Sequence, residues 1–248
     1  MDLSGKAAIV TGASSGIGEK IAERLAERGV KLTLVARRED RLRAVAERLA
    51  GVGSEDPLVA VADMRSEEEI RSVFDRSIER WGLLDVLINN AGLGRFGSWH
   101  EGATEDWREM LDVNCLSVAI ATREALARFP EDGGHVVNMS SMAGHRVPPG
   151  GGFYAATKHF VRGMTEALRQ ELRATGSRTR VSSISPGFVT TEFREVYYRG
   201  DRDKVAETRP QFQVLERDDV ASAVLYVLEA PDHVAVHDVL MRSNEQPS

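Results

Sequence analysis

The fold that the sequence predicts is a single doubly wound α/β domain, with a seven-stranded parallel sheet flanked by helices on both faces. Three observations predict it. Apolar runs of strand length alternate along the chain with longer amphipathic segments, as in successive strand–helix units and unlike hairpins. The first strand passes into the first helix through a glycine-rich turn, Thr11-Gly12-Ala13-Ser14-Ser15-Gly16-Ile17-Gly18. No internal repeat or low-complexity linker divides the chain, so residues 1–248 read as one domain.

The elements follow in order. Lys6–Thr11 (KAAIVT) reads as a buried strand, and Ser15–Arg28 as a helix whose Ile17, Ile21 and Leu25 lie four apart on one face until Gly29 breaks it. Lys31–Ala36 is the second strand and Glu39–Ala50 the second helix. After a third strand at Leu58–Ala62, Ser66 and Glu69 form the pattern of a capping box opening a helix to Arg80. Leu84–Asn89 is the fourth strand. One long helix is predicted over Thr104–Phe129, then a strand at His135–Asn138, a helix at Tyr154–Thr175 and a strand at Arg180–Ser185. Arg217–Glu229 is helical and Val234–Met241 closes the sheet. Pro148–Gly152 reads as a loop. The polar, weakly periodic stretch 192–213 is expected to be a mobile insertion over a pocket. Right-handed crossovers wind these strands in both directions from the centre.

Composition narrows the function classes. Net charge is −6 with no Lys/Arg block, which argues against nucleic acid as the main partner. Hydrophobic residues make up 42% and charged residues 28%, as in ordinary globular proteins. No apolar run approaches the ~20 residues of a membrane span. The N-terminus lacks a basic stretch followed by an apolar one, so no signal peptide is predicted. With Cys115 the sole cysteine, no intrachain disulfide can form, and a cytoplasmic location is expected. The histidines show no metal-ligand spacing, and no metal is predicted.

The glycine-rich turn suits a dinucleotide. Its glycines permit close approach of a pyrophosphate, and the helix behind it offers unpaired N–H groups and a partial positive charge. The spacing is GxxxGxG, not the GxGxxG of the usual Rossmann fingerprint. At the end of the second strand, where a carboxylate usually holds ribose hydroxyls, the chain carries Ala36-Arg37-Arg38. Guanidinium groups bind phosphate, so the cofactor predicted is NADP(H), held through Arg37 and Arg38. The competing reading leaves both arginines solvated or paired with Glu39 and Asp40. Asp63, with Met64 beside it, is placed to meet the adenine. Asn89-Asn90-Ala91-Gly92 ends the fourth strand at the ligand-binding edge of such a sheet, with Asn90 holding backbone.

Tyr154 and Lys158, in Phe153-Tyr154-Ala155-Ala156-Thr157-Lys158, share one helix face. A phenol ionises near pH ~10, and a neighbouring ammonium is expected to draw that value down, making Tyr154 a general acid or base. Ser140-Ser141-Met142-Ala143-Gly144 ends the fifth strand, where a serine can hydrogen-bond a substrate carbonyl. Asn114 sits inside a predicted helix, where asparagine is unfavourable, which points to another role.

Taken together, TGASSGIG, NNAG, Asn114, SSMAG, YAATK and Ser185-Pro186-Gly187 occur in the order of the short-chain dehydrogenase/reductase family, which the whole chain resembles. The resemblance implies Tyr154 as acid/base and Lys158 as the residue that lowers its pKa and binds the nicotinamide ribose. It implies Ser141, in preference to Ser140, for orienting the carbonyl, and Asn114 as anchor of a water relay. In the stretch after Ser185, Pro186 and Gly187 would lie against the cofactor, and the Val189 backbone and Thr191 hydroxyl would hold the carboxamide. Two departures stand out: serine precedes Pro186 where asparagine is common, and the C-terminus lacks a Gly-Gly tail.

Leu168–Arg173, Ser141–Val147 and the C-terminal ending are similar to a branch of NADP-dependent carbonyl reductases acting on 17β-hydroxysteroids or farnesol, the dehydrogenase/reductase member 11 type. The resemblance implies reversible hydride transfer between nicotinamide and a carbonyl or secondary alcohol of a hydrophobic small molecule. A 3-hydroxy acid (serine-type) dehydrogenase is the alternative, with Arg95, Arg146, Arg194 and Arg199 available to a substrate carboxylate. A non-enzymatic NADP-binding sensor is the alternative from another class. The resemblance also implies a homo-oligomer, a dimer or tetramer, through the helices at Thr104–Phe129 and Tyr154–Thr175.

Overall fold

A computed structural model describes residues 2–52, 55–147 and 151–247. Among these, seven strands form one parallel sheet in the order β3-β2-β1-β4-β5-β6-β7. They are β1 (Ala7–Thr11), β2 (Lys31–Ala36), β3 (Leu58–Val61), β4 (Val86–Asn89), β5 (His135–Met139), β6 (Arg180–Pro186) and β7 (Asp238–Met241). The first three strands step one way from β1 and the rest the other, so the winding reverses between β1 and β4.

Side chains alternate between two cores, as the period of two in a strand requires. Ala8 and Val10 of β1, Leu32 and Leu34 of β2 and Val86 and Ile88 of β4 face one core. That core is closed by α1 (Gly16–Ala26), α2 (Glu39–Leu49) and α9 (Arg217–Glu229). Ile9, Val35, Leu87 and Val136 face the other, under α3 (Glu67–Trp81), α5 (Ser117–Leu126) and α6 (Gly152–Ala174). No helix among the described residues is long and apolar enough to cross a membrane.

Three boundaries differ from expectation for physical reasons. β4 starts at Val86, because the Asp85 carboxylate is used at the start of β1, accepting from Ala7 N (2.9 Å) and Lys6 Nζ (2.8 Å). β7 is confined to Asp238–Met241, where it meets Ser183–Pro186; upstream, Val234 N turns back to Pro231 O. The long helix is interrupted. α4 (Thr104–Leu111) passes through one π turn, Asp112–Leu116, before α5, and Asn114 lies in that turn.

The expected capping box on α3 forms by half. Ser66 accepts from Glu69 N (3.2 Å), but the Glu69 carboxylate takes Asp63 N (2.8 Å). The stretch 192–213 contains two short helices, α7 (Phe193–Tyr197) and α8 (Arg202–Glu207). Of the Pro148–Gly152 loop, residues 148–150 lie outside the described residues, and Gly152 already opens α6.

Candidate active site

The site lies at the carboxyl edge of the sheet, where the winding reverses, which is the ligand crevice of such folds. A side-chain clamp holds the crevice. Thr11 Oγ1 donates to Ile88 O (3.2 Å) and accepts from the N–H groups of Asn90 and Ala91 (3.0 Å each). Asn90 Nδ2 donates to Thr11 O (2.9 Å). One strand deeper, Asn89 donates to Asn138 (2.9 Å) and Thr122 (3.1 Å), and Asn138 donates to Thr165 (2.9 Å), tying β4 and β5 to α5 and α6.

The glycine-rich turn leaves room only for glycine at two positions. A Cβ on Gly18 would lie 2.4 Å from both Gly12 O and Asn90 Nδ2. Gly12 combines φ +69° with a Cβ approach of 2.8 Å to the same amide. Ser15, the N-cap of α1, makes no side-chain cap, so the first-turn N–H groups face the turn. Ser14 is buried, Ser15 and Gly16 line the crevice, and Ile17 packs on the core. Such a bare helix N-terminus behind a side-chain-free turn fits a pyrophosphate.

Arg37 and Arg38 are both exposed at the end of β2. Neither pairs with Glu39, which holds Arg43 instead (2.6 Å). Arg38 reaches Ser15 Oγ (2.6 Å), Ser14 Oγ (3.3 Å) and Glu192 (3.1 Å). The Arg65 guanidinium grips Asp63 and holds its carboxyl below the usual range, with a smaller contribution from Arg37. Met64 is buried in the core beneath β3, so only its backbone can face a ligand.

Tyr154 and Lys158 enter the crevice from the first turns of α6, and Ser141 enters from the end of β5. Ser140, though adjacent, turns inward and donates to Lys158 O (3.2 Å). Ser141 is half-buried, caps the following turn through Ala143 N (3.1 Å), and hydrogen-bonds Tyr154. Rings of Phe193 (5.3 Å) and Tyr197 (6.2 Å) pack on Tyr154.

The expectation that Lys158 draws the phenol pKa down is corrected here. Burial dominates and raises it well above the ordinary value, the Ser141 hydrogen bond pulls the other way, and Tyr197 adds to the rise. Lys158 Nζ lies 5.9 Å from the tyrosine ring centre and donates to Met139 O (2.9 Å). Burial lowers the amine itself to about 8. At neutral pH the site therefore presents a protonated phenol beside an ammonium that gives up its proton more readily than an ordinary lysine does.

Asn114 is fully buried, and its amide is spent within the protein. Oδ1 accepts from Leu93 N (2.9 Å), while Nδ2 donates to Leu93 O (2.7 Å) and Thr157 Oγ1 (3.0 Å). Leu93, just past the Asn90–Gly92 loop, is thereby stitched to the helix carrying Tyr154 and Lys158. A π turn in a helix often marks such a site. Cys115 next to it is buried, and burial pushes its thiol up to about 11, an inert state.

Beyond β6, Gly187 N donates to Met241 O (2.8 Å) and Val189 bridges Leu215. Thr191 lies against the glycine-rich turn, its methyl 3.5 Å from where a Cβ on Gly16 would sit. Above them stands an aromatic wall. Trp99, Trp107 and Phe153 form one cluster, with Trp107 and Phe153 stacked at 5.2 Å; Phe96 joins Tyr197 and Tyr198 in another. Three of the four arginines considered for a substrate carboxylate are already used. Arg95 binds Glu109 and Val196 O, Arg194 binds Val205 O and Thr208, and Arg199 binds Asp106. Arg146 is exposed.

Sequence reasoning missed Glu192, Arg41, Trp107 and Gln246. Gln246 is nearly buried at the C-terminus, where its Oε1 accepts from Phe188 N (3.0 Å) and its Nε2 meets Met142 Sδ (3.2 Å). No periodicity or motif signals a tail residue that folds back. Trp107 was legible as a large aromatic in an amphipathic helix.

Comparison with known proteins agrees with this geometry. A family model described as short chain dehydrogenase matches residues 6–201. The Bos taurus protein named dehydrogenase/reductase SDR family member 11 is 42% identical over 245 residues, spanning 96% of each chain. A solved serine dehydrogenase, in a closed form complexed with NADP+, superposes with TM-score 0.91 at 34% identity, covering 98% of this chain and 96% of that one. A short chain dehydrogenase/reductase from Burkholderia phymatum in complex with NAD gives TM-score 0.85 at 28% identity, covering 97% and 90%.

Proposed function

The chain belongs to the short-chain dehydrogenase family of oxidoreductases, and from that premise we propose an NADP(H)-dependent enzyme that interconverts a hydrophobic ketone and its secondary alcohol. The observation that carries the proposal is the convergence of Tyr154, Ser141 and Lys158 at the mouth of a pyrophosphate-sized turn, beneath an aromatic wall. A bound nicotinamide would supply or accept the hydride. Gly12, Ser14, Ser15, Gly16 and Gly18 would hold the pyrophosphate, Arg37 and Arg38 a 2′-phosphate and Asp63 the adenine. Asn90, Ala91, Gly92, Pro186, Gly187, Val189 and Thr191 would flank the nicotinamide end.

The chain's own residues do the proton chemistry. Tyr154, kept protonated by its apolar neighbours, donates to the carbonyl oxygen in reduction. Ser141 lies beside that phenol and donates to the same oxygen, favouring the charge that develops there. Lys158, with its pKa near 8, returns a proton to the phenol, and a water relay past Asn114 to solvent belongs to the same proposal. The rings of Phe193, Tyr197, Phe96 and Trp99 exclude water and offer apolar contact.

The similarity to member 11 of the family supports the carbonyl-reductase reading. The serine dehydrogenase neighbour favours a 3-hydroxy acid substrate, but Arg95, Arg194 and Arg199 are committed to protein partners. A homotetramer in the cytoplasm completes the proposal.

The test is oxidation of NADPH against a panel of ketones and hydroxy acids, with Tyr154→Phe as control. Turnover of apolar ketones by the wild type, abolished in Y154F while NADPH binding persists, is the expected result. Full activity in Y154F sinks the assignment. Turnover of small hydroxy acids alone sinks the substrate class. NADPH binding without any turnover favours a sensor.

A further inference from the structure

The cofactor end of the crevice contains an ion triad that no motif announces. Glu192 sits between Thr191 and the first residue of α7. Its carboxylate accepts from Arg38 Nη1 (3.1 Å) and from Arg41 Nη1 at 2.7 and 2.8 Å. The two arginines are three residues apart at the start of α2, so both guanidinium groups reach the same point above the glycine-rich turn. Arg38 also reaches down to Ser15 Oγ and Ser14 Oγ. Arg41 and Glu192 line a cavity of about 470 Å³ between the turn, α2 and the segment after β6.

The charge pattern around this cavity is uneven. Arg48 and Arg217 on its far wall share Glu19 as counter-ion. Among the described residues, the carboxylate paired with Arg38 and Arg41 is Glu192. The two guanidinium groups hold that carboxyl below the usual carboxylate range, Arg41 more than Arg38. A carboxylate gripped by two arginines beside a pyrophosphate turn has the charge sign and hydrogen-bonding demand of a phosphate.

Building on the assignment of NADP(H) as cofactor, we propose that Glu192 is a resident counter-ion competing with the 2′-phosphate for Arg38 and Arg41. It sets how strongly the protein discriminates phosphorylated from unphosphorylated dinucleotide. Arg41, which sequence reasoning passed over, is a further phosphate-binding arginine beside Arg37 and Arg38. Because Glu192 leads into α7, whose Phe193 and Tyr197 pack on Tyr154, the same residue links the adenosine end of the crevice to the reacting end.

The experiment is calorimetric titration of the full chain with adenosine 2′,5′-bisphosphate and with 5′-AMP, at low and high salt. The variants are Glu192→Gln, Arg41→Ala and Arg38→Ala. All three side chains are half-exposed, so folding is little disturbed. Exposed ion pairs are worth little each, so E192Q is expected to bind the bisphosphate about two- to five-fold more tightly at low salt. Its 5′-AMP affinity should stay unchanged, and the gain should shrink at high salt. R41A should weaken the bisphosphate alone.

Unchanged or weaker bisphosphate binding in E192Q overturns the proposal, as does equal tightening of both ligands. The Arg38 variant separates this failure from that of the cofactor assignment. If R38A removes the preference for bisphosphate while E192Q changes nothing, the competition alone is wrong. If the wild type itself shows no preference for the bisphosphate over 5′-AMP, the NADP(H) assignment fails and the competition falls with it.

Discussion

Replacing Lys158 with methionine should destroy activity and stabilise the fold. Lys158 is buried, and burial lowers its pKa from 10.5 to about 8. The unfolded chain holds its proton up to the higher value and the folded chain releases it near the lower one, so wild-type stability rises with pH between them. Below pH 8 the folded protein carries the whole cost of a buried ammonium, about 3 kcal/mol at ~1.36 kcal/mol per pH unit. Methionine removes that cost at similar length but leaves Met139 O without its donor, a loss of about 1–3 kcal/mol. The net expectation at pH 7 is a gain of up to about 2 kcal/mol, or up to roughly 8 °C in Tm for a chain of this size. The gain should fade as pH rises from 8 to 10, because the wild type sheds its charge over that range. Thermal melts of both proteins at pH 7, 8, 9 and 10 check this. A difference in Tm that does not vary with pH, or a K158M protein less stable at every pH, refutes the argument that desolvation governs this lysine.

Two further outcomes rest on the same kind of reasoning. Asn114→Ala leaves Leu93 N and Leu93 O without partners in a buried place and takes one donor from Thr157 Oγ1, which keeps its bond to Tyr154 O, so it should cost about 2–4 kcal/mol in urea unfolding; a loss below ~1 kcal/mol would show that the stitch is not formed. Burial, helped by Arg180, lowers the pKa of His135 from 6.5 to about 3, so the folded protein keeps it neutral while the unfolded chain protonates. Wild-type stability should therefore fall as pH drops from 6.5 towards 3. His135→Leu should flatten that acid limb by about 2–3 kcal/mol between pH 6.5 and 4.5, and identical slopes in urea unfolding would count against it.

The amino-acid sequence by itself determined the alternation of strands and helices, the glycine-rich turn and the family motifs, because each depends on neighbours within a few residues. Gly18 is legible through its local contact with Gly12 O, and so is Ser66, whose hydroxyl caps its own helix. Only the tertiary structure decided matters that turn on distant partners. The partner of Arg38 became Glu192, far along the chain. The Asn114 amide met Leu93 and Thr157. The electrostatics of Tyr154 depended on the same distant neighbours. Spacing places an ammonium one helical turn away and suggests a lowered pKa, but the rings of α7 bury the phenol and push it the other way. Desolvation belongs to the whole packed surroundings of a group, and no stretch of four residues contains it.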